Sequence, residues 1–196
     1  MAINKETIKK LRKISGAGIM DCKSALLEAG SDLKKALEVL RKKGLAAIAK
    51  RMQRETREGA IFSYVHRGRI GVLVEINCET DFVARNEEFK KFGKDIAMQI
   101  AASHPLYIKK EDVPQEVVNK EKEVLKAQID KSKGEDIINR ILEGRLKKFY
   151  EQVCLLEQAF IKNPDIKVNH YLGELAAKVG ENIAIKRFVR YEKGEV

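Results

Sequence analysis

Apolar positions recur along this chain with two different periods, every second residue in some stretches and every three to four in others, which predicts a mixture of strands and helices. Ile70, Val72, Val74, Ile76 and Cys78 place one apolar face on a strand. Ala60, Phe62 and Tyr64 alternate with Ile61, Ser63 and Val65 on the strand before it, and Arg67-Gly68 between the two is a hairpin signal. Near the C-terminus Ile183, Ile185, Arg187, Val189 and Tyr191 alternate with Ala184, Lys186, Phe188 and Arg190, predicting a third strand. A sheet needs it, because two strands alone are marginally stable.

The helical period dominates elsewhere. Ile8, Leu11 and Ile14 form a short stripe that the glycines of Ser15-Gly16-Ala17-Gly18 end. Asp21 is a candidate cap for a second helix running to Gly30. Ser31-Asp32 is a cap for a third, with Leu33, Ala36, Leu37 and Leu40 on one face and Gly44 after its end. Each is too short to stand alone, so residues 1–44 are expected to share one small core. Residues 45–58 continue with a helical pattern whose apolar face is mostly alanine, the mark of a basic linker or a partner-facing arm.

Past the hairpin, Phe89, Phe92, Ile96 and Ile100 share a helix face that His104-Pro105 closes. Asp112-Val113-Pro114 starts a helix to Lys133 with Val118, Leu125 and Ile129 on its stripe. After Gly134 another carries Ile138, Ile141, Leu142, Leu146 and Phe149, and Gly144 inside it calls for close packing or a partner. Val153 to Ile161 is expected to be extended, Asn163-Pro164-Asp165 a turn, and Val168 to Val179 a helix capped by Gly180. The whole is an α+β chain: a three-helix module over 1–44, a helical linker over 45–58, and a core over 59–196 in which a three-stranded antiparallel sheet packs with helices.

Between the second strand and the long helix lies Asn77-Cys78-Glu79-Thr80-Asp81-Phe82-Val83-Ala84-Arg85-Asn86. Asn86 before Glu87 and Glu88 is a helix cap with acids in the first turn. Thr80 to Val83 fit neither period, and the ring of Phe82 is either a plug into its own core or a wedge aimed at a partner.

Composition sharpens this picture in one respect. The net charge of +10 is uneven: residues 1–58 hold 15 Lys and Arg against 7 Asp and Glu, or +8, and the remainder 24 against 22, or +2. A basic N-terminal third suits an acidic protein partner or RNA. The same 58 residues hold no Phe, Tyr or Trp, which counts against base stacking there. Cys22, Cys78 and Cys154 are far apart and lack ligand spacing, so reduced, buried thiols are expected. No apolar run reaches the length of a membrane span and Met1-Ala2-Ile3-Asn4-Lys5 leads into a charged helix, so neither span nor signal peptide is expected and a cytoplasmic location is.

Chemistry is conspicuous by its absence from the pattern. GxxxxGK[ST], GxGxxG, GxSxG and HExxH do not occur. His66, His104 and His170 are scattered, and Cys78 has only His66 on the paired strand as a candidate base. Glu75 and Asp81 would stand roughly 20 Å apart on a continued strand, too far to share a cation with Glu79. Neither a catalytic set, nor a metal site, nor a cofactor is expected.

Several segments carry a resemblance. Ser15-Gly16-Ala17-Gly18-Ile19-Met20-Asp21-Cys22-Lys23-Ser24-Ala25-Leu26, the Asn77 to Asn86 stretch, Glu143-Gly144-Arg145-Leu146 with Leu155-Leu156-Glu157-Gln158, and Gly180-Glu181-Asn182-Ile183 with Arg187-Phe188 all resemble the elongation factor Ts family, in order and across nearly the whole chain. Ser15 stands where that family more often has threonine. The resemblance implies a guanine-nucleotide exchange factor for elongation factor Tu and no enzyme. It implies a ubiquitin-associated-like N-terminal module for docking, with Ile19, Met20 and Lys23 as candidate contacts, although Ile19 and Met20 could equally fill the module's core. It assigns Thr80, Asp81, Phe82 and Val83 to disturbing the partner's Mg²⁺ and nucleotide site. The chain has room for one core copy, like the short members, for which a homodimer could supply the missing contacts; no membrane and no direct nucleic-acid partner is implied. An RNA-binding accessory protein of translation is the alternative reading.

Overall fold

The computed structural model describes residues 4–15, 17–40, 42, 54–129 and 134–195. The chain divides into two units, Met1–Arg54 and Glu55–Val196.

In the first unit, α1 (Lys5–Ser15), α2 (Ile19–Glu28) and α3 (residues 33–40) enclose Leu11, Cys22, Ala25, Leu26 and Ala36, with Ile8, Leu33, Leu37 and Leu40 packed around them. Asp32 starts α3 as expected: its Oδ1 accepts from the Lys34 and Lys35 amides at 2.8 and 3.2 Å, and these bonds hold its carboxyl below the ordinary range. Two expectations fail. Gly18, not Asp21, precedes the first turn of α2, and Asp21 lies within that turn. Ile14 is exposed, because three residues beyond Leu11 the stripe has rotated off this small core. Gly44 and most of the expected linker lie outside the described residues; residues 54–57 are not helical and lead directly into the first strand.

The second unit is built on β1 (Glu58–His66), β2 (Ile70–Cys78) and β5 (Ala184–Glu192), antiparallel in the order β1-β2-β5. Between β2 and β5 run α4 (Asp81–Ala84), α5 (Glu87–Ser103), α6 (Gln115–Ala127), α7 (Glu135–Val153), the short hairpin β3 (Ala159–Phe160) and β4 (Asn163–Lys167), and α8 (Val168–Val179). One face of the sheet packs on α5, where Phe89, Phe92, Ile96 and Ile100 are fully buried against Val72, Val74 and Ile76. Val118, Val113 and Cys154 form a smaller cluster beneath α6 and α7.

The expected alternation of β5 breaks in the middle. Glu75 pairs with Arg187 but Ile76 pairs with Ile185, so Lys186 is an extra residue in a bulge that switches faces. Ile185 and Phe188 therefore both face the core, and Val189 and Tyr191 face outward. Three further expectations are corrected. The helix expected to reach Ile129 and beyond ends at Ala127; α7 extends through Val153; and Asn163-Pro164-Asp165 is strand, with the turn at Ile161-Lys162. The hairpin is strand because the buried amide of Gln99 on α5 grips it, donating to the Ala159 carbonyl at 3.2 Å and accepting from the Ile161 amide at 2.8 Å. Gly144 lies exposed on α7 with nothing near the position of a β-carbon, so packing inside the chain does not require it.

Candidate functional site

At the end of β2, Thr80 keeps the extended backbone of the strand (φ −128°, ψ 156°) and caps a helix of one turn, its Oγ1 accepting from the Val83 amide at 3.5 Å. The stretch that fits neither period is therefore α4 with its cap. It ends at Arg85, and Asn86 at once caps α5 through Oδ1 to the Glu88 amide, 2.8 Å. Two caps six residues apart confine the tip to a single turn.

That turn separates its side chains. Val83 is buried in the main core, whereas the ring of Phe82 is 81% exposed. Val83 is the plug, and Phe82 stands out from the surface with no role in the core. Asp81 is partly exposed and pairs with Arg85 one turn on, 3.0 Å, an exposed pair of small energetic weight.

From below, the turn is held by a segment about a hundred residues away. Gly180, left-handed at φ 79°, ends α8 and reverses the chain, which brings Glu181 under the end of β2. The Glu181 Oε2 accepts from the Glu79 and Thr80 amides, both at 3.0 Å, and its Oε1 accepts from the Thr80 hydroxyl at 2.6 Å. In return the Glu79 Oε1 accepts from the Asn182 amide at 2.6 Å. Gly180 as a cap is legible in the sequence, but the role of Glu181, Asn182 and Glu79 is not, since no local pattern marks a contact over that separation.

The Cys78 thiol is buried and donates to the Thr80 carbonyl at 3.1 Å; burial, reinforced by the Glu181 carboxylate, pushes its pKa up to about 11. His66 is no base for it. Cys78 pairs with Glu58 and His66 with Ile70, at opposite ends of the hairpin and roughly 27 Å apart along the strands. Glu75 is bonded to Arg187 at 2.6 Å, which holds its carboxyl below the ordinary range. Among the described residues no group of three or more His, Cys, Asp or Glu could hold a metal ion, and no helix is long and apolar enough to cross a membrane.

In the first unit, Ile19, Met20 and Lys23 lie on the outside of α2, with Ile19 and Met20 54% and 72% exposed. They do not fill the module's core. Cys22, Ala25 and Leu26, on the opposite side of the same helix, do.

Comparison with known proteins bears on the whole chain. The family described as Elongation factor TS matches residues 32–195. An elongation factor Ts of Carboxydothermus hydrogenoformans is 58% identical over 195 residues, covering 98% of this chain and 90% of the relative. One of Thermodesulfovibrio yellowstonii is 54% identical over 195 residues, covering 100% and 98%, and one of Thermotoga maritima is 56% identical over 196 residues, with the same coverage. With this likeness from end to end, the chain belongs to the elongation factor Ts family, factors of translation elongation in protein biosynthesis.

Proposed function

We propose that the protein is a guanine-nucleotide exchange factor for elongation factor Tu, acting in the cytoplasm without catalytic residues or a cofactor. It binds Tu·GDP, presses Asp81 and Phe82 toward the Mg²⁺ and nucleotide site, promotes GDP release and stabilises nucleotide-free Tu until GTP binds. The observation that carries this reading is the Phe82 ring, exposed on a turn whose Thr80 end is bonded to Glu181 and whose Val83 is anchored in the core. An unanchored apolar ring in that position has no use to the fold.

Exchange requires only differential binding: the factor weakens nucleotide as much as nucleotide weakens the factor. A thousandfold faster release corresponds to about 4 kcal/mol along the release path. Burying one Phe side chain contributes about 1.5–3 kcal/mol, so the ring needs help from other contacts. The N-terminal module, read as ubiquitin-associated-like, supplies them through Ile19, Met20 and Lys23 on the exposed side of α2.

The outer face of the sheet supports a homodimer. Ile61, Leu73, Val189 and Tyr191 are all exposed there, around the Glu75–Arg187 pair. An antiparallel sheet that meets water normally turns polar residues to it, and this one adds four apolar side chains to Ser63, Glu75 and Arg187, as a face closed by a second copy would.

The deciding experiment is release of a fluorescent GDP analogue from elongation factor Tu with and without this protein. Acceleration that rises with its concentration is the expected result, and an unchanged release rate overturns the reading.

A further inference from the structure

Building on that reading, we propose that Glu181 is the positioning residue of the exchange tip: acting through Thr80, its carboxylate fixes the direction in which α4 presents Phe82 to the partner.

The need for such a residue follows from the length of α4. A helix of four residues closes very few hydrogen bonds, here from the Ala84 amide to Thr80 and from the Arg85 amide to Asp81 at 3.2 and 3.1 Å. That is too few to offset the entropy of ordering a turn, so the turn exists only if something outside it fixes its ends. Val83 fixes the inner side by burial. Within the turn the entry end has no apolar anchor, since Thr80 and Asp81 are polar and Phe82 is exposed; just before it the buried Cys78 thiol adds one bond, to the Thr80 carbonyl at 3.1 Å, and leaves the amides and the hydroxyl to be fixed by another group.

Glu181 fixes that end with three bonds that converge on one carboxylate. Two take up the amides of Glu79 and Thr80, which define the path by which β2 enters the turn. The third, from the Thr80 hydroxyl, commits its only proton to Glu181 and so leaves an oxygen lone pair for the Val83 amide. Carboxylate, hydroxyl and helix amide thus form a relay in which each bond orients the next. The reciprocal bond from the Asn182 amide to Glu79 braces the carboxylate's own backbone against the same strand end. These bonds are partly buried, whereas the ring is exposed and takes part in none of them. Glu181 therefore works by presentation rather than contact: it spares the tip the ordering cost that a loose loop would meet at docking.

The test is a double-mutant cycle on nucleotide release. Glu181→Ala should lower kcat/KM for exchange on elongation factor Tu by about tenfold or more, the loss expected when charge-assisted bonds are removed. In a Phe82→Ala background the same substitution should cost several-fold less than in the parent, because only Asp81 is left on the turn to direct. Thr80→Val, which removes the hydroxyl that Glu181 holds, should follow Glu181→Ala. Should Glu181→Ala fail to fold cooperatively, Thr80→Val carries the same cycle.

Equal losses in both backgrounds, or no loss in either, overturn the proposal. Amide hydrogen exchange separates it from the exchange reading on which it rests. Faster exchange of residues 79–84 in Glu181→Ala with α5 unchanged confirms the clamp even if the parent protein releases no nucleotide; unchanged protection of residues 79–84 overturns the clamp even if release is fast.

Discussion

Gly93 on α5 leaves a notch that the ring of Phe62 on β1 fills. A β-carbon at residue 93 would fall among three atoms of that ring, and the ring is itself held against Phe89, 5.7 Å between centroids. The contact of α5 with β1 at this point thus depends on a hydrogen atom in place of a methyl group. In an exposed helix interior Gly→Ala would stabilise by up to about 1 kcal/mol. Here the added carbon has no room and the ring is too enclosed to swing aside. Gly93→Ala should therefore lower unfolding stability by about 1–3 kcal/mol, measured by urea denaturation.

Phe82 and Val83 are neighbours with opposite prospects. Phe82→Ala removes a ring that the fold does not use, so stability should stay within about 0.5 kcal/mol of the parent, while GDP release from elongation factor Tu slows sharply. Val83→Ala opens a gap beneath the turn and should cost about 1–3 kcal/mol. Parallel thermal unfolding and exchange assays check both. A Phe82→Ala protein that unfolds early would make the ring a structural element and remove the wedge.

Alkali should destabilise the second unit in a defined window. An unfolded thiol ionises near 9.0, whereas burial pushes Cys78 and Cys154 up to about 11. The unfolded chain then releases these protons first, so the stability they provide is complete below pH 9 and is lost as pH rises through 11. Tyr171, desolvated and donating to Asp95 at 3.0 Å, is raised above its ordinary 10.0 and adds a loss of the same sign beginning there. Urea midpoints measured from pH 8 to 11 should fall above pH 9, and the fall should be shallower in Cys78→Ala.

For the outer sheet face, Leu73→Glu is the discriminating change. Leu73 is half exposed on the central strand, so a carboxylate there is hydrated in a monomer and costs the fold little. In a dimer closed across that face it would be desolvated without a partner. Sedimentation equilibrium should show a dissociation constant raised at least about a hundredfold. An unchanged association state would place any homodimer contact elsewhere.

Much of this architecture is written locally. The hairpin, α5, α8 and the caps at Asp32, Asn86 and Gly180 follow from periodicity and turn chemistry, which act over a few residues and so leave a mark in the sequence. Where a local pattern is weak, distant contacts took over. The β5 bulge at Lys186 exchanges the faces of Phe188 and Val189 because pairing with β2 sets the register. Asn163 to Lys167 form a strand through the hairpin that Gln99 holds.

The tip divides along the same line. By itself the sequence determined that a strand ends near Cys78, that a helix begins after Asn86, and that a Phe stands between them: short-range facts. Only the tertiary structure decided that the intervening residues form a turn, that Val83 enters the core while Phe82 leaves it, and that Glu181 holds the turn in place. A four-residue helix has no periodicity to read and no stability of its own, so its existence and direction come from a carboxylate about a hundred residues away.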